Sequence, residues 1–276
     1  MLDQTIVTYC ICDEVCKGLH LVDDPQCKMS TPEVMTFAIL AASMFYCDYR
    51  RARLISLTSK LFRKILSHSQ LVRRIHRIPE EAWAMVFQAL KYFLQNADRK
   101  YFIVDSFPLE AFQNHKSRRA KRFSNKKFHG YSASKQRFFF GSKVHMIVDV
   151  QGTPIEFVIT PGSIADIRAL SLFTMDLPAN SVLYADKAYT HYEVEDLLHN
   201  LEGIDLIAKR KQVHKRQHSP EVAFGLAMNR NRIETVFSSI TGRLPRHLRA
   251  TTERGFILKV LFCILAYMVE RYYPIG

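Results

Sequence analysis

Two aspartates and one glutamate carry the chemistry this chain could perform. They stand in Val104-Asp105-Ser106-Phe107-Pro108-Leu109, in Tyr184-Ala185-Asp186-Lys187-Ala188-Tyr189, and in Arg230-Asn231-Arg232-Ile233-Glu234-Thr235-Val236-Phe237. Asp105 follows the apolar run Phe102-Ile103-Val104, and Asp186 follows Val182-Leu183-Tyr184-Ala185. Glu234 falls in a basic helical pattern, beside a stripe of Ile233, Val236, Phe237 and Ile240. Carboxylates are hard oxygen ligands suited to Mg2+ or Mn2+. Two at strand ends and one on a later helix can converge on a pair of such ions. That pair activates an attacking water or 3′-hydroxyl and stabilises the leaving oxygen of a phosphodiester. Singly, each has a plainer reading as a turn former or helix cap; jointly they point to metal-dependent phosphodiester chemistry.

The elements that must position them are read from the patterning. A strand ending in an aspartate presents the carboxylate at the carboxyl edge of a sheet, where ligands of open α/β sheets collect. Pro108 and Lys187-Ala188 are expected to end the two strands promptly. Lys143–Val150 and Ile155–Thr160 read as a hairpin joined through Gln151-Gly152-Thr153-Pro154. A helix is expected over Ser163–Met175, a strand over Ser181–Ala185, a helix over Tyr189–Asn200 and a strand over Ile204–Ala208. Helix returns from Asn229, and a last apolar helix covers about Glu253–Arg271. This order predicts an α/β fold, a mixed sheet flanked by helices. Residues 1–98 read as an all-helical N-terminal region that precedes it. Thr31-Pro32-Glu33 marks a helix start with threonine as N-cap, and further helices are expected over Arg51–Leu66 and Pro79–Leu94. Residues 99–276 form the second region, with basic insertions at about 111–141 and 209–224.

Composition fits that chemistry. The chain has 276 residues, 48% of them apolar and 24% charged, with a formal charge of +13 and a pI near 9.5. Such a field favours an extended polyanion. The longest apolar run near the end, Val260–Val269, is too short to span a bilayer. Met1-Leu2-Asp3-Gln4 opens no basic-then-apolar leader, so a cytoplasmic protein is expected. Cys10, Cys12, Cys16 and Cys27, with His20 between them, lack a Cys-x-x-Cys knuckle and read as reduced thiols rather than a zinc site.

From Ala111 to Val148 there is no acidic residue, while Lys116, Arg118, Arg119, Lys121, Arg122, Lys126, Lys127, Lys135, Arg137 and Lys143 are basic, with Phe123, Phe128, His129, Tyr131 and Phe138 interleaved. Bases neutralise phosphates and aromatics stack on unpaired bases, so a DNA-contacting loop is expected there. The run Lys209–Lys215 reads the same way, or as a soluble insertion. The basic faces of the N-terminal helices (Arg50, Arg51, Arg53, Arg73, Arg74, Arg77) read equally as a DNA grip or a solvated surface. His145 reads as a buried hairpin residue, Asp166 as a helix cap near the active edge, Asp149 as part of the hairpin turn, and Trp83 as a core or interface anchor.

These segments resemble bacterial insertion-sequence transposases with a DDE triad and an RNase H-like core, most of all insertion-sequence family 982. The matching stretches are Asp105–Leu109, Gly141–Gly162, Ala185–Tyr189 and Arg232–Ser238, with a looser likeness at Met29–Ser43. The resemblance implies Asp105, Asp186 and Glu234 as catalytic metal ligands for two Mg2+ (or Mn2+) ions. It implies cutting at element ends and transfer of the 3′-hydroxyl to target DNA, by a homodimer in the synaptic complex. Lys187, Arg230 and Arg243 join the basic loop as expected DNA contacts. Related transposases often surround the last glutamate with a tyrosine, an arginine and a lysine. Arg230 matches the arginine, whereas Ala227 and Thr241 occupy the other two positions, with Arg243 a substitute for the lysine. Ala188 stands where glycine is common. A metal-dependent nuclease on the same core, or a catalytically inactive DNA-binding repressor, shares most of these features.

Overall fold

The computed structural model describes residues 2–94, 99–112, 128–132, 137–245 and 252–274. They form two compact units, one of residues 1–95 with 239–276 and one of residues 96–238.

The first unit is helical: α1 (Leu2–Gly18), α2 (Thr31–Phe45), α3 (Tyr49–Thr58), α4 (His68–Arg77), α5 (Glu80–Phe93) and α9 (Glu253–Tyr272). Helix α2 is apolar on nearly every side, with Val34, Met35, Phe37, Ala38 and Ile39 all buried, so neighbours must cover it all round. Its N-cap is Ser30, not Thr31: Ser30 and Glu33 form a reciprocal capping box, and the Thr31 hydroxyl donates to Asp23 instead. The helix expected over Arg51–Leu66 stops at Thr58, and Lys60 takes a left-handed φ of 53°. A second capping box, Ser67 with Gln70, then starts the unforeseen α4. Trp83 is buried against Phe262 of α9, ring centroids 4.6 Å apart. The sequence division placed residues 239–276 with the second region. Contacts group them with the N-terminal helices, because α9 buries most of its apolar residues and packs on α1, α2 and α5. No described helix is long and apolar enough to cross a membrane.

The second unit is a mixed sheet flanked by helices, as the patterning predicts. Its strands are β1 (Tyr101–Phe112), β2 (His129–Ser132), β3 (Arg137–Asp149), β4 (Pro154–Pro161), β5 (Ser181–Ala185) and β6 (Ile204–Ala208). The order is β2-β3-β1-β5-β6, and β4 shares the outer side of β3 with β2. Strands β4, β3 and β1 run antiparallel, while β1, β5 and β6 run parallel. Phe102, Val104, Ile147, Leu183, Leu206 and Tyr189 belong to its buried core.

Several expectations for this unit are corrected. Strand β1 does not end at Asp105 but continues through Pro108 to Phe112, paired all along with β3. Its ladder with β5 covers only Tyr101–Val104. Beyond Val104 that side has no partner strand, which is why a proline, lacking an N–H, is tolerated there. The helix expected over Ser163–Met175 shrinks to one turn, α6 (Asp166–Ala169), and a 3-10 turn at Leu170–Leu172. Leu170, Phe173 and Met175 all enter the core from a chain that becomes extended at Phe173, which one helix face cannot do. Helix α7 spans Tyr192–Glu202 and stops at Gly203 in the left-handed region. Helix α8 spans Pro220–Gly242, starting nine residues before the expected Asn229, so the second basic insertion is shorter than read. Where β2, β3 and β4 meet, a Cβ on Gly162 would fall 2.8 Å from the Gly141 carbonyl oxygen, so only glycine fits.

The hairpin turn rests on one buried carboxylate. Asp149 is fully buried, accepts from the Gln151 and Thr153 amides at 3.0 and 2.7 Å, and lies 3.1 Å from Arg99 Nε. Removing one member of such a pair strands the other charge. Asp149→Ala should therefore cost roughly 3–5 kcal/mol in urea unfolding; a loss under about 1 kcal/mol would show the pair to be dispensable.

Candidate active site

Asp105 and Asp186 meet where β5 stops beside β1. Val104 pairs with Ala185, so the residues after each, Asp105 and Asp186, leave the parallel ladder side by side. Both are half-buried. Asp105 Oδ1 accepts the Ser106 amide at 2.8 Å. Burial pushes the Asp105 carboxyl up to about 7; the Ser106 N–H and Arg230 oppose that rise, and the charges of Asp186 and Asp166 add to it. Asp186 opens the 3-10 turn Lys187–Tyr189, its carbonyl accepting the Tyr189 amide at 3.0 Å.

Helix α8 brings the third carboxylate. It is tied to the sheet by the Phe107–Phe237 ring contact at 4.6 Å and by Arg232 donating to the Val150 carbonyl at 3.1 Å. Ile233, Val236 and Phe237 are buried, as the stripe predicts. Arg230 Nη1 donates to Asp186 Oδ1 at 3.0 Å, and its Nη2 lies 3.9 Å from Glu234 Oε1 one turn on. One guanidinium thus links the second and third members of the triad. The Glu234 side chain is 64% exposed, free to swing toward the aspartates.

Alternation along β1 assigns the two sides of the sheet. Asp105 and Phe107 share the face that carries α8. Ser106 takes the opposite face, with its register partner His145 and with Lys143. There Asp166 Oδ1 accepts from Ser106 Oγ at 2.9 Å and from Lys143 Nζ at 3.1 Å. Lys143 also donates to the Ile164 carbonyl at 3.1 Å. His145 is buried, 2.9 Å from Thr160 Oγ1 and 3.5 Å from the Tyr189 hydroxyl, and burial lowers its pKa to about 4. It is a neutral core histidine at physiological pH. The sequence reading missed Ser106 and Tyr189 and put Lys143 among DNA-contacting residues. Register arithmetic from Asp105 across the hairpin was the signal that could have found them.

The remaining expected residues lie variously. Lys187 is exposed at the turn after Asp186. Lys116, Arg118, Arg119, Lys121, Arg122, Lys126 and Lys127 fall outside the described residues. Arg243 belongs to the helical unit, where it pairs with Glu270. In the second basic run, Arg210 forms a buried bidentate pair with Glu195, and Arg216 pairs with Asp196. A cavity of about 430 Å3 adjoins Glu234 and Arg230, walled by Lys209, Gln217, His218 and Leu226. Cys12 and Cys16 are buried on α1, where burial pushes the Cys16 thiol up to about 11, against thiolate ligation.

The donor set fits a hard divalent cation in its chemistry. Asp105 and Asp186 are oxygen donors whose charges repel, and positive charge from Arg230 already sits against them. Among the described residues, no three His, Cys, Asp or Glu side chains lie close enough together to hold an ion as they stand. Closure would therefore need the exposed Glu234 to move. In metal-free protein Asp105 is a cost to folding. Its folded pKa near 7 exceeds the unfolded 3.8, so stability falls as pH rises between those values and stays reduced above them. Asp105→Asn should raise the melting temperature over wild type in EDTA at pH 8, with the gain vanishing near pH 4. Equal gains at both pH values would show that the carboxyl is not perturbed.

No curated protein and no solved structure gives a significant match. The family model described as "Transposase DDE domain" matches residues 96–269, well over half of the chain, and includes all three carboxylates. The chain belongs to the transposase DDE domain family.

Proposed function

We propose that this transposase cuts phosphodiester bonds at the ends of an insertion sequence and joins the 3′-hydroxyl to target DNA, with Asp105, Asp186 and Glu234 as its metal ligands. The observation that carries the reading is the side-by-side exit of Asp105 and Asp186 from one parallel strand pair, with Arg230 and Glu234 arriving on α8. The order β4-β3-β1-β5-β6, with β3 antiparallel to β1, supports an RNase H-like core of the family 982 kind. Bound there, two Mg2+ or Mn2+ ions would activate the attacking oxygen and stabilise the leaving one.

The chain's own groups do the rest. Asp105, protonated in part near neutral pH, yields that proton when it ligates. Arg230 offers two guanidinium arms, one on Asp186 and one toward Glu234, and turns to the scissile phosphate when the carboxylates are otherwise neutralised. Lys187 and the basic segment at about 111–141 hold the flanking phosphates, which makes binding steeply salt-dependent. Joining two ends to one target takes at least two copies of the chain, acting on DNA in the cytoplasm.

The test is cleavage of labelled DNA carrying the element's own ends, with Mg2+ or Mn2+, by wild type and Asp186→Ala. Metal-dependent nicking at the ends, followed by strand joining, should occur with wild type and fall below detection with the variant while DNA binding persists. Nicking without joining would leave a nuclease. Tight binding with no cutting in either metal would leave a DNA-binding repressor.

A further inference from the structure

The network behind β1 has no part in the triad, yet it is built around it. Asp186 and Asp166 both stand close enough to Asp105 for their charges to act on it. Asp166 differs from the other two in having its own lysine. Lys143, on β3, has a side chain only 13% exposed, and it donates to Asp166 Oδ1 and to the Ile164 carbonyl, each at 3.1 Å. That ammonium ties Asp166 to the Ile164 carbonyl and offsets its charge. The same Asp166 oxygen accepts the Ser106 hydroxyl at 2.9 Å. Ser106 in turn donates its backbone N–H to Asp105 Oδ1 at 2.8 Å. The buried Tyr189 and the neutral His145 close the network against water.

We propose that Lys143, Asp166 and Ser106 are positioning residues for Asp105. They hold its carboxylate in the orientation that ligates a divalent cation, and Lys143 keeps Asp166 from becoming a ligand itself. The physical reason lies in the strand. Beyond Val104, β1 has a partner on one side only among the described residues, so the peptide that carries Asp105 lacks there the second ladder that would fix it. A hydroxyl anchored to an ion pair replaces that ladder. The hydrogen-bond path runs from Lys143 through Asp166 and the Ser106 hydroxyl. It then crosses the sheet within one residue, from the Ser106 side chain to its amide and on to Asp105. Partners of this kind, one step behind a ligand, typically set metal affinity by about tenfold to a hundredfold.

This inference rests on Asp105 being a cation ligand, so the experiment separates the two. Mn2+ binding to the full chain is measured by electron paramagnetic resonance, and the Mn2+ dependence of end cutting is measured alongside. The variants are Asp105→Ala, Asp166→Asn, Ser106→Ala and Ser106→Thr. The expected result is that Ser106→Ala and Asp166→Asn weaken Mn2+ binding and raise half-saturating Mn2+ by about tenfold to a hundredfold, with excess Mn2+ recovering cutting. Ser106→Thr keeps the hydroxyl on a strand-compatible side chain and should restore near wild-type affinity. Asp105→Ala should lose both binding and cutting. Asp105→Ala behaving as wild type would overturn the ligand reading itself. If Asp105→Ala loses both activities while Ser106→Ala and Asp166→Asn keep wild-type Mn2+ affinity, the positioning role is overturned. If Asp166→Asn cuts at no Mn2+ concentration while folded, Asp166 is itself a ligand, which also overturns it. Should Asp166→Asn fail to fold, the Ser106 pair decides alone, since it changes neither charge nor burial of a charge.

Discussion

The burial of Asp105 beside Asp186 is the constraint on which the second unit depends. The fold brings two carboxylates together where β5 ends and β1 goes on, half-buried, so that neither is fully solvated. Burial pushes the Asp105 carboxyl up, the neighbouring charge of Asp186 adds to the rise, and both oppose folding of the ionised form. The chain meets this with cations of its own, Arg230 against Asp186 and Lys143 against the neighbouring Asp166. Helix α8 exists in part to deliver one of them. Its apolar stripe docks on β1 through Phe237 and Phe107, and that docking sets where Arg230 and Glu234 arrive. Asp186 and Asp166, the two carboxylates beside Asp105, are thus each paired with a cation of the chain.

How much of this was legible depends on the length scale of the signal. The three carboxylates, the hairpin and the strands around Asp186 were readable because short apolar runs and turn residues mark them locally. The true extent of β1 was not. Pro108 is a strong stop signal in isolation, and it survives mid-strand only because β5 has already ended, a fact set by pairing far along the chain. The missing helix at Ser163–Met175 failed for a related reason: its apolar residues serve the sheet core rather than one helix face. The helix start at Ser30 was misplaced by one residue because Thr31 is an equally good cap in sequence, and Asp23 takes its hydroxyl. Ser106 and Lys143 stayed hidden since a serine in a strand and a lysine in a basic run carry no mark of pairing. The grouping of α9 with α1, α2 and α5 could not be read either, because an apolar helix does not say which core it covers.

The chain's net charge of +13 does not reach solvent evenly along the second basic run. Arg210 and Arg216, in the second basic run, are matched by Glu195 and Asp196 of α7, and both flank the Tyr192 ring. Those arginines fasten the segment after β6 to α7 and contribute little free field. Lys209, Lys211 and Lys215 in the same run are exposed, so their charge is open to solvent. Composition gives the sign of the partner; pairing decides which residues meet it.

Because β1 alternates, its single sheet layer works as a partition between two electrical compartments. On the α8 side Glu234 lies open to solvent, and mobile ions can rearrange around it within a Debye length. On the other side the Lys143 and Asp166 side chains are only 13% and 20% exposed, beside the buried His145, and are screened less. A rise in ionic strength therefore acts more on the exposed glutamate of α8 than on the Lys143–Asp166 pair behind the strand.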